Sequence, residues 1–410
     1  MTPRKQLSLI LLGGLALSAT LATTGVHAAG GPEPTPNAYR VLDPIETGGI
    51  TLYPIVRVAA EERAAHWQFL TLDEGLKNGS VVITEAGRAA GLERSRSAQG
   101  PVVYPASSGD QVNTLVLLNN ADRPLLLLAG EIVTGGKQDR IIAKDRIVPP
   151  HSLPLDLSVF CIEPHRWNET SAKFNAVAGS KALSIMVQPS VRRQAMAANN
   201  QQQVWNAVGA TIAAMPPPPP AMAKMAPTSS YAQAMIAAPV QSKLAAIAAP
   251  ALAQTSDIQK PGAQPSASQL PEALRRQHVI GVVAAINGHI LWADIFATPE
   301  MLDAYWSKLV RSYAAESIHS QGGEGASASR EAALRFAADP TNGHETSEGD
   351  GGVYRYSEIH GSTSALFSLE ALLPGTNFEV HRTRMVQSAE AHPMLVQRGI
   401  YADPPPPVRR

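Results

Sequence analysis

The sequence predicts an α+β fold: an antiparallel β-sandwich or barrel-like core with flanking helices, interrupted by a disordered Pro/Ala-rich insertion. Three observations carry this expectation. Between residues 48 and 190, four or five apolar runs are joined by hairpin-scale connections rather than by crossover helices. Asn287-Gly288 separates the apolar runs Val279 to Ile286 and His289 to Phe296, the signature of a type I′ hairpin turn. Residues 215–275 change character, with an unbroken proline run from Pro216 to Pro220 and Tyr231 as the lone aromatic residue.

Residues 1–28 read as a Sec-type signal peptide. Arg4 and Lys5 precede an apolar run from Leu7 to Leu17, and Val26 and Ala28 suit a cleavage site after Ala28. That run is shorter than the ~20 residues a membrane span needs, so a periplasmic or secreted location is expected. No later stretch is long and apolar enough to span, so no membrane span is expected after signal cleavage. Residues 29–47 read as a flexible lead-in, and 48–214 as the first part of the domain. Within it, Ile50 to Val58 reads as a strand, Leu72 to Leu76 as helical and Val81 to Thr84 as a strand. Val112 to Asn119 and Pro124 to Val133 flank Asn120-Ala121-Asp122-Arg123, which suits a hairpin loop. Arg140 to Val148 and Leu153 to Glu163 follow, punctuated by Pro149-Pro150. In the second run Leu155, Leu157, Val159 and Cys161 share one face. Residues 191–214 look helical.

The insertion, 215–275, has too few large apolar residues to offset its ordering entropy and reads as disordered or semi-extended with polyproline II patches, with Ala-rich Gln241 to Ala249 suited to a transient helix. The second part of the domain is placed at 276–390. There a helix from Pro299 to about Ser317 takes Thr298 as N-cap and Met301, Leu302, Tyr305, Leu309 and Tyr313 as its apolar stripe. Residues 320–352 read as Gly/Ser-rich with one short helix, Arg330 to Ala338. Tyr354 to Leu369 and Asn377 to Val386 read as final strands, with His360-Gly361 as a turn. Residues 391–410 form a Pro-rich tail.

Lys+Arg and Asp+Glu are both 34, so a nucleic acid partner is not expected. Cleavage after Ala28 removes Arg4 and Lys5 and makes the remainder slightly acidic. One Cys excludes an intramolecular disulfide framework. The His residues are scattered, so no metal site is expected. Gly130 to Gln138 resembles a phosphate loop, but Lys137 comes one residue late and Gln138 replaces the hydroxyl that would hold Mg²⁺. No nucleophile elbow or dinucleotide fingerprint is present, and no cofactor is expected.

What remains is a polar block at strand ends: Gly130-Glu131, Gly135-Gly136-Lys137-Gln138-Asp139-Arg140 and Cys161-Ile162-Glu163-Pro164-His165-Arg166-Trp167. This combination resembles the ARPP-1 domain, the ARG and rhodanese-phosphatase-superfamily-associated protein domain. The Val279 to Tyr313 segment is similar to the later part of that family. The resemblance covers about 48–320, interrupted by the insertion, and extends to about 390. It implies that the two parts pack as one domain.

Each residue of the block has two readings. Glu131 and Glu163 are structural ion-pair partners or face a ligand. Lys137, Gln138 and Arg140 hold a carboxylate or phosphate, or form a solvated hairpin tip. Trp167 is a core or lid aromatic, or a stacking platform beside Arg166. Cys161 is a buried hydrophobe, or a thiol activated by Lys137, His165 or Arg166. The first expectation is a binding or structural module for an anionic small molecule or an extracytoplasmic protein partner, with Gln138, Arg140, Arg166 and Trp167 as ligand contacts. The alternative is a hydrolase-like enzyme with Glu131 or Glu163 as general base and Lys137 and Arg140 stabilising negative charge.

Overall fold

The computed structural model describes residues 38–59, 64, 67–89, 93–96, 100–103, 113–164, 171–175, 185–216, 229–253, 269–320 and 326–387. All belong to one compact unit, Pro34–Arg410. Residues 1–28, expected to be a signal peptide, residues 217–220 of the proline run, His165, Arg166, Trp167 and the tail expected at 391–410 lie outside the described residues.

The chain first forms β1 (Tyr39–Val41), β2 (Ile45–Thr47), β3 (Ile50–Arg57), β4 (Leu70–Thr71), α1 (Leu72–Asn78) and β5 (Val81–Glu85). Then come β6 (Glu93–Arg96), β7 (Gly100–Val103), β8 (Thr114–Asn119), β9 (Leu125–Leu127), β10 (Ile132–Gly136) and β11 (Arg140–Ile142). β12 (Arg146–Val148), β13 (Leu155–Cys161) and β14 (Ser171–Asn175) precede the helices α2 (Pro189–Met196), α3 (Gln201–Ala214), α4 (Ser230–Ala234), α5 (Ala238–Ala253) and α6 (Glu272–Arg276). The rest is β15 (Val279–Ile286), β16 (His289–Phe296), α7 (Pro299–His319), α8 (Arg330–Ala338), β17 (Gly343–Asp350), β18 (Tyr354–Gly361), β19 (Ser364–Ala371) and β20 (Phe378–Val386).

The α+β expectation holds, with largely antiparallel sheets. One sheet has the order β1-β3-β15-β16-β20-β19-β18-β17, with β2 also on β3. β3 pairs with β15 from Ile50↔Ile286 to Val56↔Val279, so strands from both sides of the insertion share it. A second sheet runs β14-β10-β11-β13-β8-β5. The Thr84 hydroxyl donates to Ala172 O at 3.3 Å and brings β5 back to β14, so this sheet nearly closes into a barrel. Ile83, Leu115, Leu117, Leu157, Val159 and Phe174 belong to one apolar cluster within it. A small third sheet, β12-β9-β4, joins the two.

The Asn287-Gly288 turn has both residues at positive φ, 50° and 83°, as a type I′ turn requires. Helix α7 starts where expected, with the Thr298 hydroxyl accepting from Met301 N at 3.3 Å. It is buried on nearly every face, polar Lys308, Ser312 and Glu316 included. A helix buried all round is a core helix rather than a surface one.

Four expectations need correction. First, the lead-in carries β1 and β2 on the large sheet, with Tyr39 and Val41 buried; strands of three residues are too short to show in the sequence. Second, the expected hairpin between 112–119 and 124–133 does not form, because β8 pairs with β5 and β13 while β9 pairs with β12 and β4. The Asn119 amide donates to Arg123 O and Pro149 O, both at 3.0 Å, and turns the chain out of the barrel into the third sheet. Third, the described parts of the insertion, 229–253 and 269–275, carry α4, α5 and the start of α6, while 217–228 and 254–268 lie outside the described residues. Tyr231, Val240, Leu244 and Ile247 are buried, and α5 packs on α7. Alanine is the strongest helix former, and Val240, Leu244 and Ile247 recur at helical spacing, so few large residues suffice. Fourth, residues 343–350 form the exposed edge strand β17 on β18.

Leu244 is 3% exposed. Leu244→Ala should lower the unfolding free energy by about 2–4 kcal/mol in urea denaturation. A loss below about 0.5 kcal/mol would mean that α5 is not part of the core.

Candidate functional site

The residues at the centre of the fold are Leu128-Ala129-Gly130-Glu131, between β9 and β10. Only Glu131 of this segment pairs in a β-bridge, with Met186, so the amides of Leu128 and Ala129 need other acceptors. Leu128 N donates to Glu131 Oε2 and Ala129 N to Asp145 Oδ1, both at 2.7 Å. Gly130 N donates to Ile142 O at 2.9 Å, and Gly130 O accepts from Val187 N at 2.8 Å. Gly130 has φ +93°, and a Cβ there would lie 2.7 Å from Arg192 Cγ. Glycine is therefore required by backbone conformation and by the close approach of Arg192.

Glu131 and Asp145 are fully buried and held by groups from distant elements. Lys308 of α7 reaches Glu131 Oε1 and also lies 2.7 Å from Asp73 Oδ2. Asp73 sits in the first turn of α1, whose start is fixed by a Thr71–Glu74 capping box. Burial pushes the Glu131 carboxyl above its ordinary range; Lys308 opposes this and Asp73 adds to it. Burial alone would lower the Lys308 ammonium, but Asp73 and Glu131 hold it above its usual value.

Asp145 Oδ2 lies 2.6 Å from His381 Nδ1, and His381 Nε2 lies 3.3 Å from Asp294 Oδ1. Asp294 also accepts from Arg192 at 3.1 and 3.2 Å, Tyr313 Oη at 2.5 Å and Thr383 Oγ1 at 2.9 Å. The sheet register explains the grouping, because Asp294 pairs with Thr383 and Phe296 with His381 across β16 and β20. The Arg192 guanidinium lies 4.5 Å from the Trp292 ring centroid. Burial alone would lower the His381 imidazole, but Asp145 and Asp294 raise it to about 9. Burial would raise Asp294, but Arg192 and His381 hold it well below the usual carboxylate range.

The polar block named from the sequence goes to other partners. Gly135 and Gly136 have positive φ at the end of β10, where its register with β14 shifts and the chain enters the turn to β11. That turn is fixed by Gly135 N donating to Asp139 Oδ1 at 3.2 Å and Lys137 N to Glu85 Oε1 at 2.8 Å. Arg140 is fully buried, donates to Gln138 O at 2.8 Å and lies 3.7 Å from Glu85 Oε1. Cys161 pairs with Arg140 in the β11–β13 register, and burial pushes its thiol up. Glu163 Oε1 accepts from Ser230 N at 2.7 Å, at the start of α4. The Glu131 side chain is thus engaged by Lys308 and that of Glu163 by the start of α4, while the Lys137 amide is held by Glu85. Asp73, Asp145, Arg192, Asp294, Lys308 and His381 were not singled out from the sequence. Asp294 within LWADIF is a charge in an otherwise apolar run, a pattern that marks it, whereas Lys308 is one of several charges along α7.

A cleft of about 250 Å³ opens beside this centre. Trp67, Phe69, Leu126 and Tyr305 give it apolar walls, and Arg123 and Glu300 give it charge. Tyr305 links the cleft to the ion cluster. Its hydroxyl donates to Leu126 O at 2.8 Å, and its ring centroid lies 5.5 Å from Lys308 Nζ. It also stacks on Phe296, whose ring lies 4.5 Å from that of His381.

The unfolded imidazole titrates near pH 6.5 and His381 in the folded protein near 9. Its stabilisation is therefore complete below about pH 6.5 and lost as pH rises through about 9, a change on the order of 3 kcal/mol. Urea unfolding between pH 6 and 9.5 should show this decline, and His381→Gln should flatten it. An unchanged slope in the variant would contradict the assignment.

Residues 38–385 match the ARPP-1 family, described as the ARG and Rhodanese-Phosphatase-superfamily-associated Protein domain. Comparison with curated proteins and with solved structures finds no match. The match runs from β1 to the end of β20 and spans both sheets, the central segment and the cleft, so the chain belongs to the ARPP-1 family.

Proposed function

We propose that the protein is exported by its N-terminal signal segment and acts as a binding module that takes a small anionic molecule in the cleft beside Tyr305. The observation that carries this reading is the pairing of aromatic walls with one accessible guanidinium. The Trp67 and Phe69 rings lie 6.3 Å apart at the cleft. Arg123 is 40% exposed and meets Glu74, itself 52% exposed, at 3.4 Å. A pair between such exposed groups is worth little, so a ligand carboxylate or phosphate can take the place of Glu74. The cleft is smaller than most drug-sized sites, which favours a small ligand.

The hydrolase-like alternative draws on Glu131, whose raised carboxyl suits a general base. Glu131 is fully buried beneath Lys308, Arg140 lies beside Glu85, and Glu163 accepts from the start of α4. The binding reading therefore has the better support.

The test is calorimetric titration with 3-phenylpropanoate, which pairs an aromatic ring with a carboxylate. Saturable binding is expected. Arg123→Gln should weaken it about tenfold or more, since a charge-assisted hydrogen bond contributes roughly 1.5–3 kcal/mol. Equal binding by the variant would remove Arg123 from the site.

A further inference from the structure

The cleft carries two charges of opposite sign, and they come from different elements. Arg123 precedes β9, and Glu300 lies in the first turn of α7. Glu300 is exposed, and its carboxylate has no ion pair or side-chain hydrogen bond among the described residues. Among the described residues the Arg123 guanidinium has only the weak contact with Glu74 described above. Trp67, Phe69 and Tyr305 line the same cleft. A carboxylate beside aromatic faces is the environment that recognises an ammonium group, by ion pairing and by cation–π attraction. A ligand that is only anionic would leave Glu300 facing it without a counter-charge. A ligand that is only cationic would leave Arg123 so.

We infer that the cleft binds a zwitterion with an apolar body: a free α-amino acid with an aromatic or large aliphatic side chain. Its carboxylate meets Arg123, its ammonium meets Glu300, and its side chain lies against Trp67, Phe69 and Tyr305. This rests on the cleft being the binding site, and it adds a requirement for the positive end. The floor of the cleft suits the side chain, because Leu126 and Tyr305 are buried and the Tyr305 hydroxyl already donates to Leu126 O. The floor thus offers ring and alkyl surface rather than a further donor.

The test compares L-phenylalanine, 3-phenylpropanoate and 2-phenylethylamine by calorimetric titration of the purified protein. These share one ring and differ in which charges they carry. L-phenylalanine should bind at least about tenfold more tightly than either single-charge analogue. Glu300→Gln should bring the ratio of L-phenylalanine to 3-phenylpropanoate close to one, and Arg123→Gln should do the same for its ratio to 2-phenylethylamine. Circular dichroism checks that both variants fold. If 3-phenylpropanoate binds as tightly as L-phenylalanine, the zwitterion inference fails while the anion-binding reading stands. If none of the three binds, both fail.

Discussion

The chain between β9 and β10 turns through Leu128-Ala129-Gly130-Glu131 in the middle of the protein, where water does not supply acceptors for its amides. Backbone carbonyls serve Gly130 N and Glu131 N, and two carboxylates serve the other two amides. Glu131 serves Leu128 N within its own turn, and Asp145 serves Ala129 N from the connection between β11 and β12. A buried carboxylate is costly unless its charge is compensated. Lys308 compensates Glu131, and His381 with Asp294 and Arg192 compensates Asp145. Satisfying one short segment thus commits α1, α2, α7, β16 and β20 to fixed positions.

This requirement ties together parts of the chain that lie far apart in sequence. Asp73, Glu131 and Asp145 come from one side of the α4–α5 insertion, and Asp294, Lys308 and His381 from the other. The β3–β15 pairing joins the same two parts by backbone hydrogen bonds. Buried ion pairs are a weak source of net stability, because desolvation offsets much of the Coulomb attraction. Their effect here is on uniqueness: displacing α7 takes Lys308 from buried Glu131 and from partly exposed Asp73. The apolar contacts of Tyr305, Trp306 and Tyr313 supply the favourable burial, and the charges fix where α7 sits.

Local signals in the sequence located the hairpin at Asn287-Gly288, the N-cap of α7 and the alternating strand β13, because each depends on residues close in the chain. Strand partners were not legible. The loop at 120–123 is real, but β8 and β9 diverge after it, since Asn119 bonds to Pro149 O thirty residues away. The Ala-rich stretch at 238–253 lacks the aromatic content of a typical core segment, and its helix is stabilised by packing against α7. The site was legible only in part. Glycine spacing and dense charge drew attention to 130–140, and Glu131 does lie at the centre. Its partners Lys308 and Asp73 are separated from it by more sequence than any spacing rule spans, while Lys137 and Arg140 serve a turn at Glu85. The aromatic and charged residues of the cleft come from three separate stretches, with no motif of their own.

The claim that the whole account depends on is that Lys308 holds Glu131, and through it the central turn. A double-mutant cycle with Glu131→Gln and Lys308→Met, followed by urea denaturation, measures this directly. Glutamine keeps an acceptor for Leu128 N and needs no cation. Lys308→Met alone should cost about 3–5 kcal/mol because it leaves a buried carboxylate unpaired. In the Glu131→Gln background it should cost much less, giving a coupling energy of roughly 2 kcal/mol or more. Additive effects, within about 0.5 kcal/mol, would show that the two side chains do not depend on each other and would contradict the account.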